Sequence, residues 1–457
     1  MFGIERIHFV GIGGSGMSGI AEVLINMGYK VTGSDIRKTP VIERLISLGA
    51  EVKTGHSPEN VKDADVVVYS SAVKEDNPEI VEARKRKIPV IPRAEMLAEL
   101  MRMKYSIAVA GTHGKTTTTS MIASILKEGG LDPTMVVGGI LKTIGTGAIL
   151  GKGEYFVAEA DESDRSFLKL LPTIVVITNI DREHLDHYKD LDEIKNTFVE
   201  FAGKVPFYGS VFLSTDDPNS LDIRNRIERR VITFGLSPQA DVKGVEVELR
   251  GFSSSFTVKI NGEELGRIEL SIPGIHNVKN ALAAVGVGLE LGIPFECIQR
   301  ALSSFRGVSR RFELRGEKKG IRVYDDYAHH PREIEATLEA ARTGWKGRII
   351  VVFQPHLYSR TLHLADEFGK SFFLADKVII TEIYPAREEP IPGVSGRLIY
   401  EKCREYGHKN VEWIEKKEEI PEKLVPELRE GDMVILMGAG DIWKLHEEIL
   451  RRIDEVL

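Results

Sequence analysis

Short runs of apolar residues alternate with longer amphipathic stretches along almost the whole chain. The runs Ile7–Val10, Ser106–Ala110 and Ile349–Phe353 have the length and apolar content of buried strands, and the first two are each followed by a glycine-containing loop and a helical pattern. The other predicted strands outside the central domain are Lys30–Gly33, Val66–Tyr69, Pro89–Ile91, Arg322–Tyr324, Val378–Thr381 and Met433–Met437. A polar–apolar alternation around Asn261-Gly262 predicts an antiparallel hairpin. The pattern as a whole predicts an α/β protein with mainly parallel sheets.

Breaks in this pattern divide the chain into domains. A chain of 457 residues is too long for one hydrophobic core. The basic, methionine-rich stretch Met101–Lys104 precedes a new buried strand, and the sequence turns basic again near Phe305–Phe312 before another α/β pattern begins. We therefore predict three domains: a Rossmann-like domain over residues 1–103, a central P-loop ATPase-like domain over residues 104–306, and a second Rossmann-like domain over residues 307–457.

Composition narrows the class of protein. The chain is 42% hydrophobic and 28% charged, as in globular proteins, and its net charge of -7 argues against a nucleic-acid binder. The two cysteines, Cys297 and Cys403, lie far apart, which predicts no disulfide framework and a reducing cytoplasm. Charges and glycines interrupt every apolar run before it reaches the length of a membrane span, so we expect no membrane insertion.

The strongest motif is a loop between the strand Ser106–Ala110 and a helix predicted from Thr116 to about Glu128. Backbone N–H groups at such a helix start form an anion site, a lysine there reaches β- and γ-phosphates, and a hydroxyl binds Mg²⁺. A glycine turn of purely structural use is the weaker alternative. The loop and its first helical turn predict nucleotide binding by Gly111, Thr112, Gly114, Lys115, Thr116 and Thr117.

Two polar segments follow the next predicted strands of the central domain. Glu159–Asp164 comes after the strand Tyr155–Ala158, and residues 179–187 come after the strand Ile174–Thr178. Carboxylates crowded at a strand end favour a divalent cation, and a histidine there is either a ligand or a base. A solvated acidic loop is the alternative for the first segment. The central domain is therefore predicted to hold Mg²⁺.

A second glycine loop near the N-terminus favours a rival class of protein. Gly11, Gly13 and Gly16 follow a strand, and Asp35 ends the next one, which is the spacing of a dinucleotide fingerprint. An NAD-dependent dehydrogenase would explain these residues but would leave the Gly111–Thr116 loop without a role. The diphosphate of a UDP group would bind at the same kind of helix N-terminus equally well. A nucleotide-regulated binding protein is a third possible class.

Taken together, the motifs resemble the Mur ligase family. The Gly111–Thr116 loop, the acidic run from Glu159, the stretch His276–Ala284 and the junction Gly307–Glu313 match family elements in their order, and the resemblance covers essentially the whole chain. His113 inside the loop resembles the branch that joins alanine to muramate, which implies that His113 lies near the incoming carboxylate. Phe198 stands where several members carry a carbamylated lysine, in agreement with that branch.

The resemblance implies an ATP-dependent ligase of peptidoglycan precursor synthesis. Such an enzyme joins L-alanine to the lactyl carboxylate of UDP-N-acetylmuramate through an acyl phosphate, with ATP and Mg²⁺, giving ADP and phosphate. The resemblance also implies that the protein is cytoplasmic and is a monomer or a weak homodimer. A related ligase that adds a murein tripeptide is the nearest alternative, and discrimination among alanine, serine and glycine stays open.

The resemblance also implies roles for individual residues. Catalysis is assigned to Lys115, His184 and Arg360, with His184 as a magnesium ligand or a base. The Mg²⁺ ligands are Thr116, Glu159 and His184. The residues added to the ATP site are Asn277 and Asn280 at the adenine, Arg311 facing ATP, and Asp326 near the ribose. For the two asparagines, helix capping is the structural alternative. The UDP-muramate site takes Gly13, Ser15, Gly16, Asp35, His56, Ser70, Ser71 and His113. The amino-acid site takes Tyr327, His329, His356 and Arg360.

Overall fold

A computed structural model describes residues 1, 3–70, 72–139, 146–183, 187–386 and 388–456, with Ser15 described by its backbone alone. The chain separates into two units. The first contains Met1–Val245, Val258–Gly266 and Lys279–Phe305, and the second contains Glu246–Thr257, Arg267–Val278 and Arg306–Leu457. Helices and strands alternate in both units.

The first sheet has five parallel strands in the order β3-β2-β1-β4-β5. The prediction included four of these strands but not β3, which lies at the sheet edge and has mostly exposed or half-buried side chains. The strands are β1 (Arg6–Val10), β2 (Lys30–Asp35), β3 (Glu51–Thr54), β4 (Val66–Tyr69) and β5 (Val90–Pro92). The helices are α1 (Ser15–Asn26), α2 (Pro40–Ser47), α3 (Pro78–Lys85) and α4 (Arg93–Met101).

The second sheet has ten strands in the order β15-β14-β13-β12-β11-β10-β6-β9-β7-β8. The strands are β6 (Tyr105–Ala110), β7 (Thr134–Val136), β8 (Ala148–Ile149), β9 (Tyr155–Glu159), β10 (Ile174–Ile177), β11 (Ser210–Ser214), β12 (Arg230–Gly235), β13 (Val242–Arg250), β14 (Ser253–Ile260) and β15 (Glu263–Leu270). The helices are α5 (Lys115–Glu128), α6 (Leu191–Gly203), α7 (Pro218–Ile223), α8 (Ile275–Glu290) and α9 (Phe295–Ser304).

The centre of this sheet positions the polar segments that the sequence singled out. Strands β9, β6 and β10 are parallel neighbours, with Val109 opposite Glu159 and Ala110 opposite Ile177. The carboxyl ends of all three strands therefore meet at one sheet edge, where ligands of open α/β sheets bind. The predicted hairpin joins β14 to β15 through Asn261 and Gly262, both at positive φ as a two-residue turn requires.

The third sheet lies in the second unit and has six strands in the order β16-β17-β21-β18-β19-β20. Only β16 and β17 pair antiparallel among its described strands. The strands are β16 (Glu313–Lys318), β17 (Ile321–Asp326), β18 (Ile349–Phe353), β19 (Lys377–Ile380), β20 (Val411–Trp413) and β21 (Met433–Met437). The helices are α10 (Pro331–Gly344), α11 (Tyr358–His363), α12 (Ala365–Ser371), α13 (Arg397–Glu405), α14 (Ile420–Leu424) and α15 (Leu445–Val456).

Both faces of the third sheet are covered by apolar side chains. Ile349, Val351 and Phe353 of β18 belong to one core cluster, and Ile350 and Val352 belong to another. A strand that is buried on both faces has no polar positions, which explains why β18 is apolar at every residue. The predicted three-domain α/β class with parallel sheets is confirmed, whereas the domain boundaries after residues 103 and 306 stay predictions.

Helix α1 of the first sheet packs closely against the second sheet within the first unit. A Cβ atom on Gly19 would lie 3.4 Å from Ala148 Cβ and from Val136 Cγ1. The Glu22 carboxylate on the same helix accepts hydrogen bonds from the Arg44 guanidinium at 2.6 Å and from Thr146 Oγ1 at 3.0 Å. The first two sheets therefore share one core.

Across the described ranges, no helix has both the length and the apolar character needed to cross a membrane.

Candidate active site

The loop between β6 and α5 depends on two glycines that no larger residue can replace. Gly111 has a φ of +129° and Gly114 a φ of +82°. A Cβ atom on Gly111 would lie 2.2 Å from Thr178 Oγ1, and one on Gly114 would lie 2.6 Å from Asn280 Oδ1. These distances are far below van der Waals contact. The loop backbone can therefore approach Thr178 and Asn280 only because both positions are glycine.

Asn179 fixes this loop from the end of β10. Its Oδ1 accepts from the backbone N–H of His113, and its Nδ2 donates to the His113 carbonyl, both at 2.9 Å. Its own carbonyl accepts from the N–H of Thr112 at 3.1 Å, and Thr112 Oγ1 accepts from the N–H of Asp181 at 2.8 Å. The loop is therefore preorganised before any ligand binds.

Lys115 opens α5 and points back across the loop. Its Nζ donates to the Gly111 carbonyl at 2.5 Å and to Glu162 Oε1 at 2.8 Å. Burial lowers the pKa of the Lys115 ammonium, but the carboxylates of Glu162, Asp161 and Glu159 raise it by more, so the net pKa lies above the usual value. The lysine is thus charged and held over the loop, as phosphate binding requires.

Two of the three predicted Mg²⁺ ligands are described. Glu159 ends β9 at the same sheet edge as the loop, and Thr116 lies in the first turn of α5; both are half-buried. Carboxylate and hydroxyl oxygens are the hard ligands that Mg²⁺ prefers, so these residues fit the ion. His184, the third predicted ligand, lies outside the described residues.

Arg93, at the start of α4, was not predicted from the sequence. Its Nη2 lies 3.2 Å from Asp161 Oδ2, and a Cβ atom on Gly16 would lie 3.0 Å from its Nη1. Burial raises the pKa of Asp161, but the Arg93 and Lys115 charges lower it by more. Arg93 belongs to no recognised motif, so only the folded arrangement reveals that it links the first glycine loop to the acidic segment.

The N-terminal glycine loop carries the predicted UDP-muramate residues. The N–H of Gly13 donates to Asp35 Oδ2 at 2.9 Å, so the carboxylate that ends β2 braces the loop. Ser70 follows β4 and lies beside Gly11, where an added Cβ would be 3.5 Å from Ser70 Cβ. His56 follows β3, and its Nδ1 lies 2.9 Å from Ser34 Oγ. The Ser15 side chain and Ser71 lie outside the described residues.

His113, predicted to face the incoming carboxylate, lies in the middle of the second loop. Its side chain is 18% exposed, and its Nε2 lies 3.5 Å from Asp181 Oδ2. Thr178 Oγ1 donates to the His113 carbonyl at 2.6 Å, which adds a further restraint on the backbone. The imidazole is therefore partly exposed within the loop, while its Nε2 is buried on the side of Asp181.

The two asparagines predicted to bind adenine have different surroundings. Asn280 is 8% exposed and lies against Gly114, which places it at the loop between β6 and α5. Asn277 donates from Nδ2 to the Pro273 carbonyl at 2.7 Å, so its side chain closes the turn before α8. Asn280 therefore lies at the loop between β6 and α5, where a bound nucleotide is predicted. The Asn277 side chain has a structural role in this conformation.

In the second unit, the four predicted amino-acid residues lie together at the carboxyl ends of β17 and β18. The ring centroids of Tyr327 and His329 are 5.3 Å apart, and those of His329 and His356 are 5.9 Å apart. Arg360, only 9% exposed, has its Nη1 3.2 Å from His356 Nδ1. Tyr384, which was not predicted, stacks on His356 at 5.8 Å.

The neighbouring arginines after Gly307 have separate tasks. Arg310 donates from Nη2 to the Gly438 carbonyl at 2.7 Å and pairs through Nε with the buried Asp325 at 3.3 Å, so it ties the start of the third sheet to the end of β21. Both guanidinium groups lie over the Tyr327 ring, Arg310 at 4.8 Å and Arg311 at 5.2 Å from its centre, and Arg311 also pairs with Glu333 at 3.4 Å. Arg310 therefore has a structural role, and the prediction that Arg311 faces ATP stays a prediction.

Asp326, predicted to face the ribose, is a buried carboxyl at the end of β17. Its two oxygens each accept a backbone hydrogen bond at 2.7 Å, from Phe312 and from Ala328. Burial raises the pKa of Asp326 to about 6, although the Arg311 charge and these hydrogen bonds act in the opposite direction. A ribose hydroxyl would have to share an oxygen that the backbone already uses.

The raised pKa of Asp326 predicts a pH-dependent stability. The folded protein binds this proton more tightly than the unfolded chain, so the stabilisation is complete below about pH 4 and is lost as the pH rises through about 6. Replacing Asp326 with asparagine removes that proton and should flatten the pH dependence of the free energy of unfolding between these values. Urea unfolding of both proteins across the range measures it; parallel curves would contradict the assignment.

Comparisons with known proteins identify the family to which the chain is similar. Three family models match the chain in succession. The model "Mur ligase family, catalytic domain" matches residues 6–105, "Mur ligase middle domain" matches residues 109–288, and "Mur ligase, glutamate ligase domain" matches residues 310–440. The chain is 58% identical over 455 residues to a UDP-N-acetylmuramate–L-alanine ligase of Geobacter sp. (strain M21), covering 99% of each sequence.

Two solved structures are similar over nearly the full length. A UDP-N-acetylmuramate–alanine ligase from Thermotoga maritima superposes with a TM-score of 0.84 at 32% identity, covering 99% of this chain and 100% of that one. A murein peptide ligase from Psychrobacter arcticus superposes with a TM-score of 0.76 at 25% identity, covering 100% of both. From the full-length identity and the three matching domains, we conclude that the chain belongs to the Mur ligase family.

Proposed function

We propose that this chain is an ATP-dependent ligase that joins L-alanine to UDP-N-acetylmuramate in peptidoglycan precursor synthesis. The full-length relative at 58% identity bears that activity in its name and supports the choice of substrates. The observation that carries the proposal is the charged Lys115 held over a preorganised loop, because a Mur ligase must position a nucleotide triphosphate there.

The residues of the first unit supply the phosphoryl-transfer half of the reaction. Loop N–H groups and Lys115 hold the β- and γ-phosphates, with Lys115 exchanging its Glu162 partner for phosphate oxygens. Thr116 and Glu159 would hold Mg²⁺, which supplies charge neutralisation of the phosphates when bound. The lactyl carboxylate then attacks the γ-phosphorus, ADP leaves, and an acyl phosphate results. Alignment and fixed charge account for most of the catalysis.

The residues of the second unit bind the amino acid. The Arg360 guanidinium forms the carboxylate clamp for alanine, since its fork matches two oxygens. His356 lies against Arg360, and His329 and Tyr327 continue from it ring to ring, so we expect these three rings to limit the room for the side chain of the amino acid. The alanine amine attacks the acyl carbon, the bond to the phosphate oxygen breaks, and phosphate leaves.

A ligase that adds a murein tripeptide is the second candidate, because a murein peptide ligase superposes over the whole chain. ADP release with UDP-N-acetylmuramate as the acid and a panel of amines separates the two. We expect turnover with L-alanine and little with the tripeptide L-alanyl-γ-D-glutamyl-meso-diaminopimelate. The opposite preference would overturn the alanine assignment. If neither amine causes ADP release, both candidate functions are wrong.

Glu159 is expected to control the magnesium requirement. Replacing it with alanine removes a carboxylate ligand, so the Mg²⁺ concentration at half-maximal ADP release should rise about tenfold or more. Glu154, exposed just before β9, provides a matched control: Glu154→Ala should leave the titration unchanged. Overlapping magnesium curves for wild type and Glu159→Ala would remove Glu159 from the site.

A further inference from the structure

A buried carboxylate organises one end of the first sheet. Glu79, in the first turn of α3, has no exposed surface. Its Oε2 accepts from Ser34 Oγ of β2 at 2.5 Å and lies 3.3 Å from Nδ1 of His56, which follows β3. Its Oε1 accepts from Asn60 Nδ2 at 2.5 Å, and His8 Nε2 of β1 lies 3.5 Å from Oε2. Side chains from all these segments therefore converge on one carboxylate.

The hydrogens in this cluster can be assigned from donor and acceptor capacity. Burial raises the pKa of Glu79, but the bonds from His8, Ser34 and Asn60 lower it by more, to about 2, so the carboxylate only accepts at neutral pH. The single Ser34 hydroxyl hydrogen points to Glu79, which leaves Ser34 Oγ as an acceptor towards His56. Both neighbours of His56 Nδ1 are thus acceptors, and Nδ1 must carry a hydrogen.

The other nitrogen of His56 follows from this assignment. A neutral imidazole with its hydrogen on Nδ1 has an acceptor lone pair on Nε2. The His56 side chain is 20% exposed, and no group in the described part of the chain hydrogen-bonds to this Nε2. The ring therefore presents an acceptor to a ligand.

We propose that Glu79 is a positioning residue that fixes His56 as a hydrogen-bond acceptor for a donor on the uridine part of the substrate. This rests on the proposed function and on the predicted UDP-muramate site around the N-terminal glycine loop, to which His56 is assigned. Uridine offers two kinds of donor, the ring N3–H of uracil and the ribose hydroxyls. A cytosine ring has an acceptor in place of N3–H, so contact with N3–H would select uracil over cytosine.

The tautomer of His56 in the wild-type protein is the first measurement. Long-range ¹⁵N NMR at neutral pH should show Nδ1 protonated and Nε2 without hydrogen. In Glu79→Gln the new amide can donate towards His56, so the hydrogen should move in part to Nε2. A wild-type ring with its hydrogen on Nε2, or on both nitrogens, would overturn the proposal.

Binding of modified nucleotides is the second measurement. Calorimetry compares UDP, N3-methyl-UDP and 2′,3′-dideoxy-UDP with wild type and with Glu79→Gln. We expect one modification to weaken wild-type binding by about tenfold, the loss of one hydrogen bond to His56 Nε2, and to have little effect in Glu79→Gln. Sensitivity to N3-methylation identifies uracil as the donor, and sensitivity to removal of the two ribose hydroxyls identifies the ribose. Equal wild-type affinity for all three nucleotides would overturn the assignment.

The controls separate this proposal from the proposed function. Glu82→Gln changes the same charge on the same helix, where Glu82 pairs with Arg86, and should leave the tautomer and the affinities unchanged. The wild-type measurements stand even if Glu79→Gln does not fold. A wild type that releases ADP with UDP-N-acetylmuramate and L-alanine but ignores both modifications contradicts only the role of Glu79 and His56. A wild type that releases no ADP contradicts the proposed function instead.

Discussion

Replacing Lys115 with methionine is expected to reduce alanine-dependent ADP release by about a thousandfold or more. The lysine charge stabilises the charge that develops on the transferred phosphoryl group, and a fixed charge of this kind accounts for several kcal/mol of the barrier. Methionine keeps the apolar length of the side chain but not the charge. Steady-state ADP release measures the loss, and Lys127→Met, on the exposed last turn of the same helix, should retain activity.

The same substitution also affects stability, and the two effects can be separated. Glu162 is 3% exposed and pairs with Lys115, so removing the cation leaves a buried carboxylate poorly compensated. The double variant Lys115→Met/Glu162→Gln should recover much of the melting temperature without recovering turnover. Recovery of turnover together with stability would mean that Lys115 only holds the fold, and the catalytic role would be wrong.

Replacing Arg360 with lysine is expected to raise the KM for L-alanine by about ten- to a hundredfold while leaving the KM for ATP close to the wild-type value. Lysine keeps the charge but cannot form the two parallel hydrogen bonds of a guanidinium to a carboxylate. The buried position of Arg360 beside His356 increases the cost of a mismatched partner. Initial rates at varied L-alanine and varied ATP measure both constants.

An exposed arginine serves as the control for that experiment. Arg397, in α13, pairs with Glu401 on the surface, and Arg397→Lys should change neither constant. If Arg360→Lys raises the KM for ATP and for L-alanine equally, the residue acts on the fold of the second unit and does not recognise the carboxylate of the amino acid.

The sequence predicted several interior strands because burial on both faces leaves a clear apolar run, but it missed β11 and β12 in the interior of the second sheet. Strands β4, β18 and β21 were predicted with the bounds that the structure has. Strands β3 and β20 were not predicted; both lie at sheet edges, where short segments with partly exposed side chains have no apolar run to recognise. Edge strands are defined by the neighbour they pair with, which a single sequence does not show.

The same distinction applies to the site. A glycine loop between a strand and a helix is local, so Gly111–Lys115 could be found from that context and from the run Gly114-Lys115-Thr116, although Gly111 lies two residues nearer this run than in the general P-loop pattern. Arg93, Tyr384 and Glu79 reach their partners from elements far away in the chain, and no local pattern marks them. For Asn277 the sequence left capping and adenine binding open, and its bond to the Pro273 carbonyl now accounts for the capping alternative.

The central claim is that the lactyl carboxylate takes the γ-phosphoryl group from ATP bound at the loop of Lys115, and that alanine attacks only afterwards. The most direct test uses UDP-N-acetylmuramate labelled with ¹⁸O at both oxygens of that carboxylate, together with ATP and L-alanine, and mass spectrometry of the phosphate released. The account predicts that each phosphate carries one ¹⁸O atom from the substrate. Phosphate without label, formed while the amide product accumulates, would contradict it.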